Sequence, residues 1–308
     1  MSDLSQLGDL LDVCLARSES VVNPDMWKEL AALRGRLRRR TGFLGEILVV
    51  ALAGGTGSGK SSLMNALCGV RVAEVGIERP TTSRCLAATP SDIVGDLSGF
   101  VVSLGIDEMI EVSGLDDLVL VDLPDFDSTF TDHRRIVETV LDVVDAVIWV
   151  FDPEKYSDRI IHDSFLKPLR GHQDQMLFVL NQADRLEGHL DQVKASLRVH
   201  LRDDGFIDPH VITTVATASE SVDLSTDELE SALAERLDIK ETAIQGLAVD
   251  IAHAANRLWQ HIDQSFDELQ GDERHEAALA MASFVSLGVA ANHVAALRPR
   301  KDTSDELG

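Results

Sequence analysis

The sequence predicts an α/β protein in which a doubly wound, mostly parallel sheet carries an α-helical appendage. Between residues 46 and 238, short apolar runs rich in β-branched residues alternate with segments of helical periodicity. This alternation is typical of parallel strands joined by crossover helices. Residues 1–45 and 239–308 show helical patterns without strand patterns, apart from a polar tail from Lys301, so we expect these two segments to form the appendage.

The composition is that of a globular protein with a strong acidic excess. Its 308 residues contain 28 Lys and Arg against 52 Asp and Glu, a formal net charge of −24. This charge repels phosphate backbones, so broad nucleic-acid binding is not expected. The three cysteines form no C-x-x-C pair, and the N-terminus lacks a signal-peptide pattern. Both features predict a reduced, cytoplasmic protein, in which Cys68 and Cys85 should have packing roles.

Residues 2–41 are predicted to form two helices. An apolar stripe from Leu4 to Cys14 marks the first, and the second should span Met26 to Arg40, capped by Asp25 or by Asn23. The second helix ends in the most basic run of the chain. We expect this run to be a solvated helix face paired with carboxylates, and contact with anionic lipid or RNA is the alternative.

A glycine-rich loop joins the first predicted strand to the next predicted helix. The apolar run Ile47–Leu52 leads into Gly54-x-x-x-x-Gly59-Lys60-Ser61, and helical spacing follows. Backbone N–H groups of such a loop cradle phosphate oxygens, Lys60 can reach the β- and γ-phosphates, and the Ser61 hydroxyl can ligate Mg²⁺. The loop therefore predicts a nucleoside-triphosphate site with contacts from Gly55, Thr56, Gly57, Ser58, Gly59, Lys60, Ser61 and Ser62.

Two later positions are predicted to complete the metal site. Thr82, or alternatively Thr81, follows the loop helix and could join Mg²⁺ and sense the γ-phosphate. The apolar run from Leu118 ends in Asp122, a carboxylate placed to hold Mg²⁺ largely through water. The predicted metal set is therefore Ser61, Thr82 and Asp122.

The remaining elements follow from apolar patterning. We predict strands within 99–112 and at 146–151, 176–180 and 211–219, and helices near 134–143 and 158–169. A short helix from Thr226 to Leu237, capped by Ser225, should precede a separate long helix from Ile239 to Leu269. The apolar stripe of the long helix should be covered by the N-terminal helices.

Asn181-Gln182-Ala183-Asp184 directly follows a predicted strand. A carboxylate at Asp184 can accept hydrogen bonds from both N1–H and the exocyclic amine of guanine, whereas adenine lacks this donor pair. Asn181 would connect this loop to the glycine loop. The alternative is that this motif is only the capped start of a helix after the strand and does not bind a base.

In this order, the motifs resemble those of the Era-like branch of translation-factor-related GTPases over roughly residues 46–238. More narrowly, they look like an uncharacterised actinobacterial group that is loosely allied to dynamin-like and Era-like GTPases. The resemblance implies a P-loop G domain that binds GTP or GDP with Mg²⁺. It also implies that the backbone at Thr217 and Ala218 meets guanine O6. Longer relatives carry membrane-spanning C-terminal regions.

The sequence departs from the family pattern at two motifs. Asp125 stands where these GTPases have a glycine whose N–H meets the γ-phosphate, and Phe126 stands where a water-orienting Gln is found in Ras-type enzymes. We therefore expect slow turnover, with Lys60, Thr82 and Asp125 as catalytic candidates. Gln182 replaces a Lys whose stem normally lies over the base, so nucleotide binding should be looser.

The sequence leaves three hypotheses. A slow GTPase switch with an unidentified protein effector is preferred over a dynamin-like membrane mechanochemical protein and over a nucleotide-binding module without hydrolysis. Residues 277–297 carry no formal charge and could pack internally, contact a membrane or a second copy in a homodimer, or span a bilayer. Contact with a membrane would place the protein at the inner face of the membrane.

Overall fold

The computed structural model describes residues 3–42, 44–73, 85–91, 93, 97–124, 140–216 and 226–297. Several predictions fall outside these residues, namely those for Thr81, Thr82, Asp125, Phe126, Thr217, Ala218 and the Ser225 cap. The chain divides into two compact units. We call Ile47–Arg236 the sheet unit, and Met1–Glu46 with Leu237–Gly308 the helical unit.

The sheet unit contains seven strands: β1 Leu48–Gly54, β2 Leu86–Thr89, β3 Glu108–Glu111, β4 Leu118–Asp122, β5 Ala146–Phe151, β6 Met176–Leu180 and β7 Val211–Thr213. Their order is β3-β2-β4-β1-β5-β6-β7, and only the β2–β4 pair is antiparallel among the described strands. This sheet confirms the predicted α/β fold class. Because β1, β4, β5 and β6 run parallel, their carboxyl ends meet at one edge.

Three α-helices of eight or more residues belong to the described part of this unit alone: α3 Lys60–Cys68, α4 Leu97–Leu104 and α5 Leu190–Asp203. Of the strands predicted within 99–112, β3 is confirmed, whereas residues up to Leu104 belong to the helix α4. Phe100 and Leu104 lie one helical turn apart and are buried, whereas Val102 is 81% exposed. Buried positions four residues apart fit a helix, and packing of this face outweighs the β-propensity of the valines.

The predicted helix near 158–169 is distorted. Ile161–Leu166 form a π-helical segment that continues into the short helical turn Lys167–Leu169. The His162 ring contacts the Asp204 carboxylate and also lies 2.8 Å from the Tyr156 carbonyl oxygen. These contacts tie the segment after β5 to the end of α5.

The helical unit contains α1 Asp3–Ser18, α2 Pro24–Thr41 and α7 Gly271–Ala296, together with most of α6 Asp227–Ser265. All four helices contribute to one apolar core, which confirms that the N-terminal helices cover the long stripe. Asn23 caps α2, because its side-chain oxygen accepts the Asp25 N–H at 2.8 Å. The predicted break between Leu237 and Ile239 is wrong, since no Gly or Pro in this stretch ends the helix.

The basic run on α2 is partly paired. Arg34 donates two hydrogen bonds of 2.8 Å to the Asp12 carboxylate, and Arg36 lies 3.3 Å from Asp250. These partners support the interpretation of a solvated, carboxylate-paired helix face.

Helix α7 is the described helix that is long and apolar enough to cross a membrane by length and composition, with a mean hydropathy of 1.5 over its most apolar window. One face packs into the helical-unit core through residues such as Phe284 and Leu287. Val285 and Val289 are exposed on the other face. Only 39% of this 18-residue window is buried, so internal packing covers part of this helix.

All three cysteines are free and buried, which agrees with packing roles. Burial raises the pKa of Cys14 and Cys85 to about 12 and that of Cys68 to about 11. These thiols stay protonated and poorly reactive near neutral pH.

Candidate functional site

At two positions around the loop between β1 and α3, the backbone conformation and the close neighbours leave room for glycine only. Gly54 has φ +154°, and a Cβ there would lie 2.4 Å from the Val150 carbonyl oxygen. Gly59 has φ +91°, and a Cβ there would lie 2.4 Å from Asn181 Nδ2. The two glycines therefore let the loop pass close to β5 and to the loop after β6.

The charged and hydroxyl groups of the predicted phosphate and metal site lie together. Lys60 is 3% exposed, and its amine donates to the Gly54 carbonyl oxygen at 3.1 Å. The Ser61 hydroxyl donates to Asp122 Oδ2 at 2.6 Å. Parallel pairing of β1 with β4 places Leu52 opposite Asp122. Sheet register thus brings residues from distant parts of the sequence to one point.

This arrangement fits Mg²⁺. Asp122 is fully buried, and its carboxylate has the Ser61 hydroxyl as a neighbour. Carboxylate and hydroxyl oxygens are the hard ligands that Mg²⁺ takes, usually together with water and substrate phosphates. Ser61 and Asp122 are therefore the described residues that would hold the ion. Thr82, the third predicted ligand, lies outside the described residues.

Asn181 connects the predicted base-reading loop to the phosphate loop. Its side chain is 1% exposed and donates to the Ser58 carbonyl oxygen at 3.1 Å. The Asn181 Oδ1 accepts from the Thr214 hydroxyl at 3.1 Å and from the Ala216 N–H at 3.3 Å. One buried amide thus holds the phosphate loop, the end of β6 and the segment after β7 in a fixed relation.

The next residue, Gln182, adds a second connection. It has a left-handed backbone with φ +57°, and its Nε2 donates to the Gly57 carbonyl oxygen at 2.9 Å. Two buried polar atoms at this junction, Ser58 Oγ and Gln182 Oε1, have no hydrogen-bond partner within the described residues. Buried polar atoms are usually paired, so a bound ligand or ordered water is expected to satisfy them.

Asp184 lies in the short turn Ala183–Arg185 and its side chain is exposed. It does not cap the following helix, because α5 begins at Leu190 and His189 occupies its cap position. This placement disfavours the interpretation of Asp184 as a helix-capping residue. An exposed carboxylate in a loop tied to the phosphate loop could accept hydrogen bonds from the donors of a base.

Sequence reasoning missed Lys155 and Thr214. The Lys155 amine donates to the Thr56 carbonyl oxygen at 3.0 Å, and Thr214 bonds to Asn181 as described above. Both residues lie just beyond the carboxyl ends of parallel strands. Their positions in the sequence, shortly after the apolar runs that form β5 and β7, could have identified them. The carboxyl ends of parallel strands converge on the ligand site of open α/β sheets.

The structure thus describes most of the residues that the sequence predicts to contact the nucleotide. Residues 55–62 form one continuous loop and helix start, and Asn181 and Gln182 contact that loop directly. Thr217 and Ala218, predicted near guanine O6, and Asp125, predicted near the γ-phosphate, lie outside the described residues.

Part of the sheet unit matches a known family of GTPases. Residues 49–182 match the model of a family described as 50S ribosome-binding GTPase. No curated protein matches the chain by sequence.

Among solved structures, the chain is similar to a member of an oligomerised bacterial dynamin pair, described as a mechanism for long-range sensing and tethering of membranes. The identity is 15% and the TM-score 0.51, over 91% of this chain and 58% of that one. A second structure of the pair gives 15% identity and a TM-score of 0.46, over 86% of this chain and 49% of that one. The structure of the LeoA bacterial dynamin GTPase from ETEC gives an identity of 13% and a TM-score of 0.46, over 86% of this chain and 52% of that one. This chain therefore spans about half the length of these solved structures.

Proposed function

We propose that this P-loop GTPase domain binds GTP with Mg²⁺ and hydrolyses it slowly, as a molecular switch. The observation that carries the proposal is the hydrogen bond between Asn181 and the Ser58 carbonyl oxygen. It joins a loop with the residues to read guanine to a loop with the residues to hold phosphates. A generic triphosphate site would require only the second loop.

The chain's own residues have distinct roles in this proposal. Backbone N–H groups of the loop before α3 and the Lys60 amine bind and orient the phosphates. Bound Mg²⁺ would neutralise negative charge on the β- and γ-phosphates, and Ser61 and Asp122 would hold it. Asp184 would accept the N1–H and amine hydrogens of guanine. Thr82 and Asp125 are proposed to act on the γ-phosphate side, and Thr217 and Ala218 near O6.

Slow turnover follows from the sequence after Asp122. The Phe126 side chain has no polar group to orient a water molecule for attack on the γ-phosphate, and a carboxylate at Asp125, at the family's glycine position, would add negative charge near that phosphate. Hydrolysis would then rely on positioning and on cationic groups. We propose a rate at or below that of an unassisted Ras-type GTPase, on the order of 10⁻⁴ per second.

Guanine recognition is tested by a swap of base preference. Replacing Asp184 by Asn exchanges one acceptor oxygen for an amide donor, which matches xanthine, whose 2-position carries a carbonyl in place of the amine. Wild type should prefer GTP and GDP over ATP and XTP, and Asp184→Asn should prefer XTP. The assay is titration of labelled nucleotides with Mg²⁺ present. Equal ATP and GTP binding by wild type would refute the assignment of guanine as the base.

Hydrolysis is tested by single-turnover phosphate release from GTP. Release that Lys60→Ala abolishes would exclude the alternative of a binding module without hydrolysis. Tight GTP binding with no release above the uncatalysed rate would favour that alternative.

The exposed apolar face of α7 is the observation that favours a second candidate, a membrane-associated mechanochemical GTPase. In that case the chain would sediment with liposomes, and Val289→Asp would release it. Val289 is 67% exposed, so this change should leave the fold intact. Failure of wild type to sediment with neutral or anionic vesicles would leave a cytoplasmic switch, acting on a protein effector or as a homodimer, as the better proposal.

A further inference from the structure

Three consecutive carbonyl groups of the phosphate loop are held by side chains. The Thr56, Gly57 and Ser58 carbonyl oxygens accept hydrogen bonds from Lys155 Nζ at 3.0 Å, Gln182 Nε2 at 2.9 Å and Asn181 Nδ2 at 3.1 Å. The last two donors belong to the predicted base-reading loop. Lys155 comes from a different segment, between β5 and the π-helical segment.

The orientation of a carbonyl fixes the orientation of the N–H group that follows it. In a trans peptide, the C=O bond of one residue and the N–H bond of the next point in opposite directions. A donor on the Thr56 oxygen therefore directs the Gly57 N–H away from that donor. Likewise, Asn181 on the Ser58 oxygen directs the Gly59 N–H, whereas the Ser58 N–H donates to the Gly55 oxygen at 3.2 Å.

The backbone that carries Lys155 is itself anchored. Asp152 is 7% exposed, and its Oδ1 accepts the N–H groups of Glu154 at 2.9 Å and Lys155 at 3.0 Å. The Tyr156 carbonyl oxygen contacts the His162 ring at 2.8 Å. The Lys155 amine therefore extends from a fixed loop, which reduces the conformational freedom lost when it bonds to the phosphate loop.

The same segment also limits the space beside the phosphate loop. A Cβ on Gly55 would lie 3.4 Å from the Ile161 side chain. Gly57, the residue after the held carbonyl, has φ +85°, a conformation that L-residues with a side chain rarely adopt. The Thr56–Gly57 peptide is thus set by an external donor and by a backbone that glycine permits.

We propose that Lys155 is a positioning residue that holds the Thr56–Gly57 peptide with the Gly57 N–H directed at the polyphosphate of the bound nucleotide. This inference rests on the proposed function, because it assigns a role within the same site. The Lys155 ammonium orients the peptide group through the Thr56 carbonyl oxygen and adds positive charge near the loop. It touches neither the nucleotide nor the reacting atoms.

The test compares Lys155→Met, Lys155→Arg and Lys167→Met. Methionine keeps the length of the side chain and removes the donor, whereas arginine keeps both donor and charge. Lys167 lies on the same connection, but its amine pairs with the Asp163 carboxylate, so its loss removes a lysine charge without removing a phosphate-loop contact. A hydrogen bond to a charged group is worth about 1.5–3 kcal/mol, so Lys155→Met should weaken GTP and GDP binding by about 10- to 100-fold.

The expected pattern is loss in Lys155→Met, rescue to within about threefold in Lys155→Arg, and no change in Lys167→Met. A thermal unfolding curve accompanies each variant. Equal GTP affinity in wild type and Lys155→Met would overturn the proposal. So would lost affinity that Lys155→Arg fails to restore, since this would indicate a merely structural role. If Lys155→Met does not fold, Lys155→Gln, which keeps a neutral donor, replaces it and should give an intermediate affinity.

A second readout needs no nucleotide. Combined ¹³C-carbonyl threonine and ¹⁵N-glycine labelling selects the two Thr-Gly pairs of the sequence, Thr41–Gly42 and Thr56–Gly57. Lys155→Met should shift the Gly57 amide resonance and leave that of Gly42 unchanged, and Lys155→Arg should shift Gly57 little. An unmoved Gly57 resonance would refute the contact. A wild-type chain that shows the contact but binds no GTP would instead refute the proposed function.

Discussion

Replacing Asn181 by Ala is expected to destabilise the sheet unit and to weaken nucleotide binding together. The buried Asn181 side chain makes three hydrogen bonds of 3.1–3.3 Å, to the Ser58 oxygen, the Thr214 hydroxyl and the Ala216 N–H. Each is worth about 1 kcal/mol net, so their combined loss should lower the free energy of unfolding by ~3 kcal/mol. For a unit of this size, the melting temperature should fall by about 6–12 °C.

The control is Thr214→Val, which removes one of the three bonds and leaves the contact between Asn181 and the phosphate loop. It should cost about 1 kcal/mol and leave GTP affinity close to that of wild type. In the double variant, the Thr214 substitution should cost almost nothing further, because its partner is already absent. Thermal unfolding without nucleotide measures the stability, and GTP titration measures the coupling to the site.

Two results would refute this reasoning. A melting temperature of Asn181→Ala within about 2 °C of wild type would show that the buried amide contributes little net stability. A normal GTP affinity in a destabilised Asn181→Ala chain would show that the phosphate loop keeps its shape without the tether.

Two further predictions concern glycine and cysteine. Gly59→Ala should destabilise the sheet unit by more than about 1 kcal/mol and abolish GTP binding, because its φ of +91° and the 2.4 Å approach to Asn181 exclude a Cβ. The matched control is Gly246→Ala, in α6, where nothing lies within 4 Å of the added methyl. This change should instead stabilise the chain by roughly 1 kcal/mol, because Ala has a higher helix propensity than Gly, and should therefore raise the melting temperature. Iodoacetamide should leave the native cysteines unmodified at pH 8 and modify all three after unfolding, and rapid native alkylation would contradict their burial. Since folding raises their pKa values, the stability that they contribute is complete below about pH 8 and falls as the pH rises towards 11–12.

The sequence predicted the phosphate loop because all of its information is local. From Ile47 to Ser62, the apolar strand, the glycines, the lysine and the helix start are contiguous. A strand running into this loop and then a helix depends on backbone conformations that neighbouring residues specify. Asp122 and Asn181 were also predicted, because each directly follows an apolar run.

Elements whose state depends on packing were predicted less well. The segment Leu97–Leu104 has the valines of a strand but forms α4, because Phe100 and Leu104 bury one helical face. The continuity of α6 through Leu237 was missed: two separate helices were predicted where the structure has one, Asp227–Ser265. Local propensities differ by less than about 1 kcal/mol per residue, so burial decides such cases.

By itself, the sequence determined the fold class and the local phosphate-binding loop with its lysine and serine, because spacing along the chain encodes strand, turn and helix. Only the tertiary structure decided which side chains donate hydrogen bonds to the carbonyl oxygens of that loop. Lys155 lies 99 residues from Thr56, and Asn181 lies 123 residues from Ser58. Their meeting depends on β5 lying beside β1 and β6 beside β5, a strand order that the buried faces of the sheet select jointly and that no short segment of sequence specifies.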